Sequence, residues 1–259
     1  MSANTSIAWT EKSWNPVVGC TKVSAGCVNC YAHREHNRIH QLWKDGRRPS
    51  APQQYHRPFN EIQLMPQRLE DPKRWRKPTM IFVNSWSDLF HEAVPQEFIE
   101  QVLDVIAACP RHTFQVLTKR PERLYVAMSQ WLERNEVPKN LWLGVTAENQ
   151  EQAEKRIPVL LSVPAQIHWV SAEPLLGPMQ IRKWLQPSIE RGSSLNWCVT
   201  GAESGTGRRP VDPDWVRSLR DQCVEASVPF FFKQWSGYRP KSNGCELDGR
   251  IWHEFPVAI

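Results

Sequence analysis

From residue 79 onward, short apolar runs alternate with stretches of helical periodicity. The runs are residues 80–84 (MIFVN), 113–118 (TFQVLT), 141–146 (LWLGVT), 167–171 (IHWVS), 197–201 (WCVTG) and 229–232 (PFFF), rich in β-branched and aromatic residues. Between them, residues 95–109 place apolar side chains at 98, 99, 102, 103, 105 and 106, the spacing of one helical face. Residues 121–135 open with Pro-Glu, a good helix start. Helices are also expected over 149–163, 179–190 and 213–226, the last opened by Asp212 as N-cap. Pro158 and Pro187 should shorten or kink their helices.

Continuous apolar strands alternating with helices imply a parallel sheet, and strands recurring every thirty residues or so match one β/α unit. A further strand is expected at 7–10 (IAWT), with residues 28–43 as its helix. The fold class is therefore α/β, a parallel β/α barrel of six to seven strands and so a partial one; an open doubly wound sheet is the alternative. Residues 44–78, rich in proline and arginine, break the rhythm as an inserted loop or lid. Residues 235–259 contain Ser-Gly, Asn-Gly and Asp-Gly turns and should form a terminal hairpin. One barrel domain, 1–234, with a short extension is the expected organisation.

Cysteine usage adds chemistry to this frame. Three of the seven cysteines crowd into GCTKVSAGCVNCYA, as Cys20, Cys27 and Cys30, after the first expected strand and leading into its helix. In a reducing compartment such crowding points to metal ligation rather than to a disulfide framework. Soft thiolates suit a [4Fe–4S] cluster or zinc. A closed zinc site needs a fourth ligand, from Cys109, Cys198, Cys223, Cys245, His33 or His36; a cubane on three thiolates leaves one iron open.

Polar groups follow the strands in turn: Asn84, Ser85, Asp88, His91 and Glu92, then Lys119 and Arg120, then Glu148, then Glu173, then Glu203, Arg208 and Arg209, then Lys233 and Gln234. In a parallel barrel these ends share one rim with the cysteine loop, the rim where active sites collect. A single acid after a strand also serves as a helix start, which explains Glu148 equally well. His91 and His168 read as structural.

Net charge is +5, which permits a polyanionic partner without requiring one. Of thirteen tryptophans, Trp142, Trp169 and Trp197 fall in strands and belong to the core, whereas Trp75, Trp86 and Trp235 are the ones able to stack on a base. No run is long and apolar enough for a membrane helix, and MSANTSIAWTEK lacks the pattern of a signal peptide, so a cytoplasmic protein without a membrane partner is expected.

Taken together, GCTKVSAGCVNCYA, FVNSWSDLFHE, VLTKRPERL, LGVTAEN, SAEPLLGP, TGAESGTGRRP and FFFKQW resemble a phage-associated three-cysteine-motif family. The cysteine loop and β/α pattern are in turn similar to the radical S-adenosylmethionine (SAM) superfamily. The spacing differs from that superfamily's usual Cys-x3-Cys-x2-Cys: here the first gap is six residues, and Tyr31 follows the last cysteine instead of an aromatic preceding it. The resemblance implies a [4Fe–4S] cluster on Cys20, Cys27 and Cys30, SAM as cosubstrate and a reductant protein as partner. It would give Tyr31, Asn84, Ser85, Asp88, Lys119 and Arg120 to cofactor binding. Asp88, Glu148, Glu173 and Glu203 would contact ribose or move protons. Nucleic acid or a nucleotide is the expected substrate. A SAM-independent cluster enzyme, such as a DNA-repair lyase, and a zinc- or cluster-containing nucleic-acid-binding module are the alternatives.

Overall fold

The computed structural model describes residues 5–187 and 192–257. Seven strands form one wholly parallel sheet: β1 (Lys12–Trp14), then β4 (Met80–Val83), β5 (Thr113–Thr118), β6 (Leu141–Thr146), β7 (Ile167–Ala172), β8 (Trp197–Thr200) and β9 (Phe230–Phe232), which lie side by side in that order. The order never reverses, so the sheet winds in one sense and curls into a half-barrel. A doubly wound sheet would change direction partway. The small strands β2 (Val17–Val18) and β3 (Gln63–Leu64) pair antiparallel beside it.

Helices α3 (Gln96–Ala107), α4 (Pro121–Leu132), α5 (Gln150–Leu161) and α6 (Pro213–Glu225) follow β4, β5, β6 and β8, as their periodicity predicts. Asn149 caps α5 through a 3.0 Å bond from Gln152 N, and Asp212 caps α6 through a 2.9 Å bond from Asp214 N. Helix α1 (Tyr31–Lys44) starts after the last cysteine rather than at residue 28, because 25–27 form a single 3-10 turn. The helix expected at 179–190 is absent over its described part. Met179 and Ile181 are buried by the loop, and only a 3-10 turn, Arg182–Trp184, forms; residues 188–190 lie outside the described residues.

Residue alternation assigns each strand two faces. Ile81, Val83, Phe114, Val116, Leu143, Val145 and Val170 join the helices in the main core, while Phe82, Trp142, Trp169, Trp197, Val199 and Phe231 line the concave face. That second set explains why residues 7–10 are not a strand. Trp9 lies inside the half-barrel, its ring 4.7 Å from Phe82 and 5.2 Å from Trp169, and Gln115 Nε2 donates to Trp9 O at 3.1 Å. The apolar character of IAWT fills the barrel, and pairing with β4 falls to the next residues, 12–14.

Residues 44–78 pack beside the barrel. Besides β3 they contain the one-turn helix α2 (Asp71–Arg74). Two histidines of α1 hold this segment: His36 Nε2 donates to Arg57 O at 2.9 Å, and His40 Nδ1 donates to Tyr55 O at 2.8 Å. At the other end of the chain, β10 (Glu246–Leu247) and β11 (Arg250–Ile251) form a hairpin, its Asp248-Gly249 turn at positive φ (53° and 78°) as a two-residue hairpin turn requires. Trp75, Trp86 and Trp235 are not free stacking surfaces. Trp75 packs on the main core beneath Lys12, Trp86 packs against Tyr55, and Trp235 abuts Phe232 while donating to Glu246 O. Among the described residues no helix is long and apolar enough to cross a membrane.

Candidate functional site

At the C-terminal end of the strands the concave face opens into a cavity of about 240 Å³. Trp9 and Phe82 form its apolar floor, and Cys20, Cys27 and Cys30 stand on its wall. All three thiols are free and half-buried, and no disulfide forms. Cys109, Cys198 and Cys223 are buried in the main core, away from this wall. Burial pushes the Cys20 thiol up to about 11, with Asp88 adding to the rise and Arg120 opposing it.

The cysteine loop is held by its surroundings at four points. Gly19, at φ 99°, lies so close to the 44–78 segment that an added Cβ would sit 2.5 Å from Glu61 O, and Cys20 N donates to Phe59 O at 2.9 Å. The other three holds are acid–arginine pairs. Arg120 bonds Asp88 at 3.2 Å and Glu92 at 2.9 Å, donates to Thr21 O at 3.2 Å, and brings Nη1 to 3.7 Å from Cys20 Sγ. Glu148, fully buried, accepts from Gly26 N at 3.0 Å and from Arg156 Nη1 at 2.9 Å. Glu203 accepts from Asn29 Nδ2 at 2.8 Å and pairs with Arg209, which donates to Ala25 O at 2.9 Å. Burial raises the pKa of Glu148 and Glu203, but hydrogen bonds and the arginines outweigh it, leaving both below the ordinary glutamate range.

The roles of the predicted site residues therefore divide. Glu148 does not line the cavity; it lies beneath the loop. Asp88 lines it, but accepts from Thr118 Oγ1 at 2.8 Å, Lys119 N at 3.1 Å and Phe90 N at 3.1 Å as well as from Arg120, which fills its acceptor positions. Glu173 faces the interior beside Lys233 (2.9 Å), Trp9 Nε1 (3.2 Å) and Ser171 Oγ (3.3 Å), and a cis bond joins it to Pro174. Tyr31 donates to Ser85 O at 2.6 Å, and burial of that hydroxyl raises its pKa, with Cys30 and Glu173 adding to the effect.

Two groups on the wall keep capacity for a ligand. Lys119 Nζ has a hydrogen bond to Thr146 Oγ1 at 3.2 Å and no ion pair among the described residues. Asn84, buried and at φ 63°, uses Oδ1 to accept from Val17 N, while its Nδ2 finds no partner. An unpaired buried amide is costly, and asparagine tolerates this backbone region better than most residues.

Sequence reasoning missed Trp9 as the floor and Arg156 as a support. Arg156 left a signal: it sits within the buried α5 stripe of Ala153, Ile157 and Leu160, where a charge requires a partner. His91 and His168 are structural. His168 Nε2 donates to Val163 O at 2.7 Å, and His91 Nε2 shares a 2.8 Å hydrogen bond with Thr21 Oγ1.

Among the described residues, no group of three or more His, Cys, Asp and Glu side chains is placed to hold a metal ion. Three free thiols on one braced loop nevertheless form a donor set of the composition that a thiolate-held centre uses. Fold and site define the class: an α/β half-barrel with a three-cysteine loop on its C-terminal rim. The chain belongs to the family described as Protein of unknown function (DUF5131), whose model matches residues 4–256. No curated protein and no solved structure matches it.

Proposed function

We propose that the chain is an iron–sulfur redox enzyme of the radical SAM type. One observation carries the reading: three free cysteines of one braced loop face a single cavity whose lining offers no fourth cysteine or histidine. Zinc in a closed site calls for that fourth ligand, and neither histidine candidate, His33 or His36, lines the cavity. Three thiolates suit a [4Fe–4S] cluster with one open iron. Its ligands bind different irons, so they need not converge as the ligands of a single ion do.

Cys20, Cys27 and Cys30 would hold the cluster. When bound, such a cluster supplies the electron, taken from a reductant protein, for reductive cleavage of SAM. The remaining roles belong to the chain. Lys119 and Asn84 Nδ2 donate to ligand oxygens, Glu173 and Lys233 form a paired acid and base able to hold or move a proton, and Trp9 with Phe82 excludes water from below. Asp88, Glu148 and Glu203 act on the loop rather than on the ligand.

Anaerobic purification, with iron, sulfide and zinc measured per chain and EPR recorded on the reduced protein, tests the reading. About four irons and an EPR signal that changes on adding SAM are expected. Iron without a SAM response replaces this reading with a SAM-independent cluster enzyme. About one zinc and no iron replaces it with a metal-stabilised binding module.

A further inference from the structure

The net charge of the chain is concentrated at one place. Residues 20–34, 203–209 and 235–244 meet beside the cavity mouth. Arg34 Nη1 donates to Ser204 O at 3.4 Å, Asn29 Nδ2 to Gly207 O at 2.9 Å, Gly205 N to Gly237 O at 2.9 Å and Ser236 Oγ to Arg209 O at 3.2 Å. These segments carry Lys22, Arg34, Arg208, Arg209, Arg239 and Lys241 against one acid, Glu203, a net of +5. The whole chain is also +5, so its other residues sum to zero. Arg209 is paired with Glu203; the other five cations are exposed and form no salt bridge among the described residues. The nearest flanking acid, Glu35, is paired with Arg38.

Two aromatic rings share this surface. Tyr238 is 66% exposed, and Tyr31, 48% exposed, lines the edge of the cavity with its hydroxyl held inside by Ser85 O. Unpaired cations interleaved with exposed aromatics are the features that track a sugar–phosphate backbone and stack its bases. The cavity opens beside them, and stacking on exposed rings calls for bases that are not paired in a duplex.

We infer that this surface docks single-stranded nucleic acid, its phosphates on the exposed cations and its bases on Tyr31 and Tyr238. The inference deepens the enzyme reading by naming its substrate class, and it rests on that reading for the chemistry after docking. Docking itself needs no cluster, so the two are tested apart.

The probe is a fluorescent single-stranded DNA of about twenty nucleotides, longer than one binding footprint. Its anisotropy is followed across salt concentrations with both metal-free and iron-reconstituted protein. Affinity should fall linearly on a log–log salt plot. The triple variant R208E/R239E/K241E should bind at least about tenfold more weakly at low salt, with a salt slope shallower by about two. Tyr238→Ala should weaken binding without changing the slope. R76E/K77E, at the opposite end of the barrel, should bind as the parent does. The inference is overturned by absent binding at low salt, or by parent-like binding of the triple variant at an unchanged melting temperature. It is equally overturned by competition from polyglutamate or duplex DNA as strong as from the unlabelled strand. Binding without iron incorporation would remove the enzyme reading and leave docking in place; iron incorporation without binding would do the reverse.

Discussion

Gly144 shows how one residue can decide a local structure. It lies on the concave face of β6, where an added Cβ would sit 2.4 Å from the Trp169 ring. The missing side chain lets the Trp169 indole lie flat over β6 and meet Trp9 and Trp197, with centroids 5.2 and 5.3 Å apart. Aromatic rings bury large areas, so this contact is a main source of stability for the concave core. Gly144→Ala should displace Trp169 and lower stability by about 1–3 kcal/mol, the usual cost of overpacking. Denaturant unfolding measures it, and near-UV circular dichroism should report the tryptophan shift. Parent-like stability would mean that the ring has room to move.

The cysteine loop is the element on which the functional reading depends. It has little regular structure, so its shape comes from the Asp88–Arg120, Glu148–Arg156 and Glu203–Arg209 pairs. Removing one partner of a buried pair leaves the other charged and unsatisfied, a loss of about 3–5 kcal/mol. Glu148→Ala should approach that loss, because Gly26 N loses its acceptor and Arg156 keeps only the neutral Thr146 O in place of a carboxylate. Glu148→Gln should be milder, yet should still speed amide exchange over residues 20–30 of the metal-free protein while leaving α3 unchanged. Acid should act in the same direction. A carboxyl whose folded pKa lies below its unfolded one stabilises the fold above the ordinary range, and that contribution is lost as pH falls through the folded value. Glu148 and Glu203 are such groups, so loop protection should drop as pH is lowered below about 4. Equal exchange in Glu148→Gln and the parent would show that the loop keeps its shape without this pair.

For the whole molecule, an incomplete barrel leaves sheet edges to be covered. The C-terminal segment covers β9: Phe232 N donates to Trp252 O at 2.7 Å, Glu254 N to Phe230 O at 3.2 Å, and Trp197 Nε1 to Glu254 O at 2.9 Å. His253 stacks on Phe231 with ring centroids 4.3 Å apart. Truncation after residue 244 would uncover a short, wholly apolar strand, the kind of edge that pairs with other chains. The truncated chain should melt at lower temperature and aggregate, as light scattering would show; a soluble monomer with the parent's melting point would assign edge protection elsewhere.

Six of the seven barrel strands and four of its helices were legible from residue patterns, because continuous apolar runs and helical stripes are local consequences of burial. The crowding of Cys20, Cys27 and Cys30, and the polar group after each strand, was likewise a matter of linear spacing. Hydrophobicity alone could not separate a strand from a plug, since IAWT is apolar in either role; only the curl of the sheet decides that Trp9 fills its interior. Nor could sequence divide the carboxylates. Asp88, Glu148 and Glu203 differ from Glu173 because they, or the arginine paired with them, bond the cysteine loop (Arg120 to Thr21 O, Gly26 N to Glu148, Asn29 to Glu203), and contacts across such distances along the chain are set by the folded geometry. The same geometry gathers three remote segments into one basic surface, because parallel strands bring their C-terminal ends to a common rim.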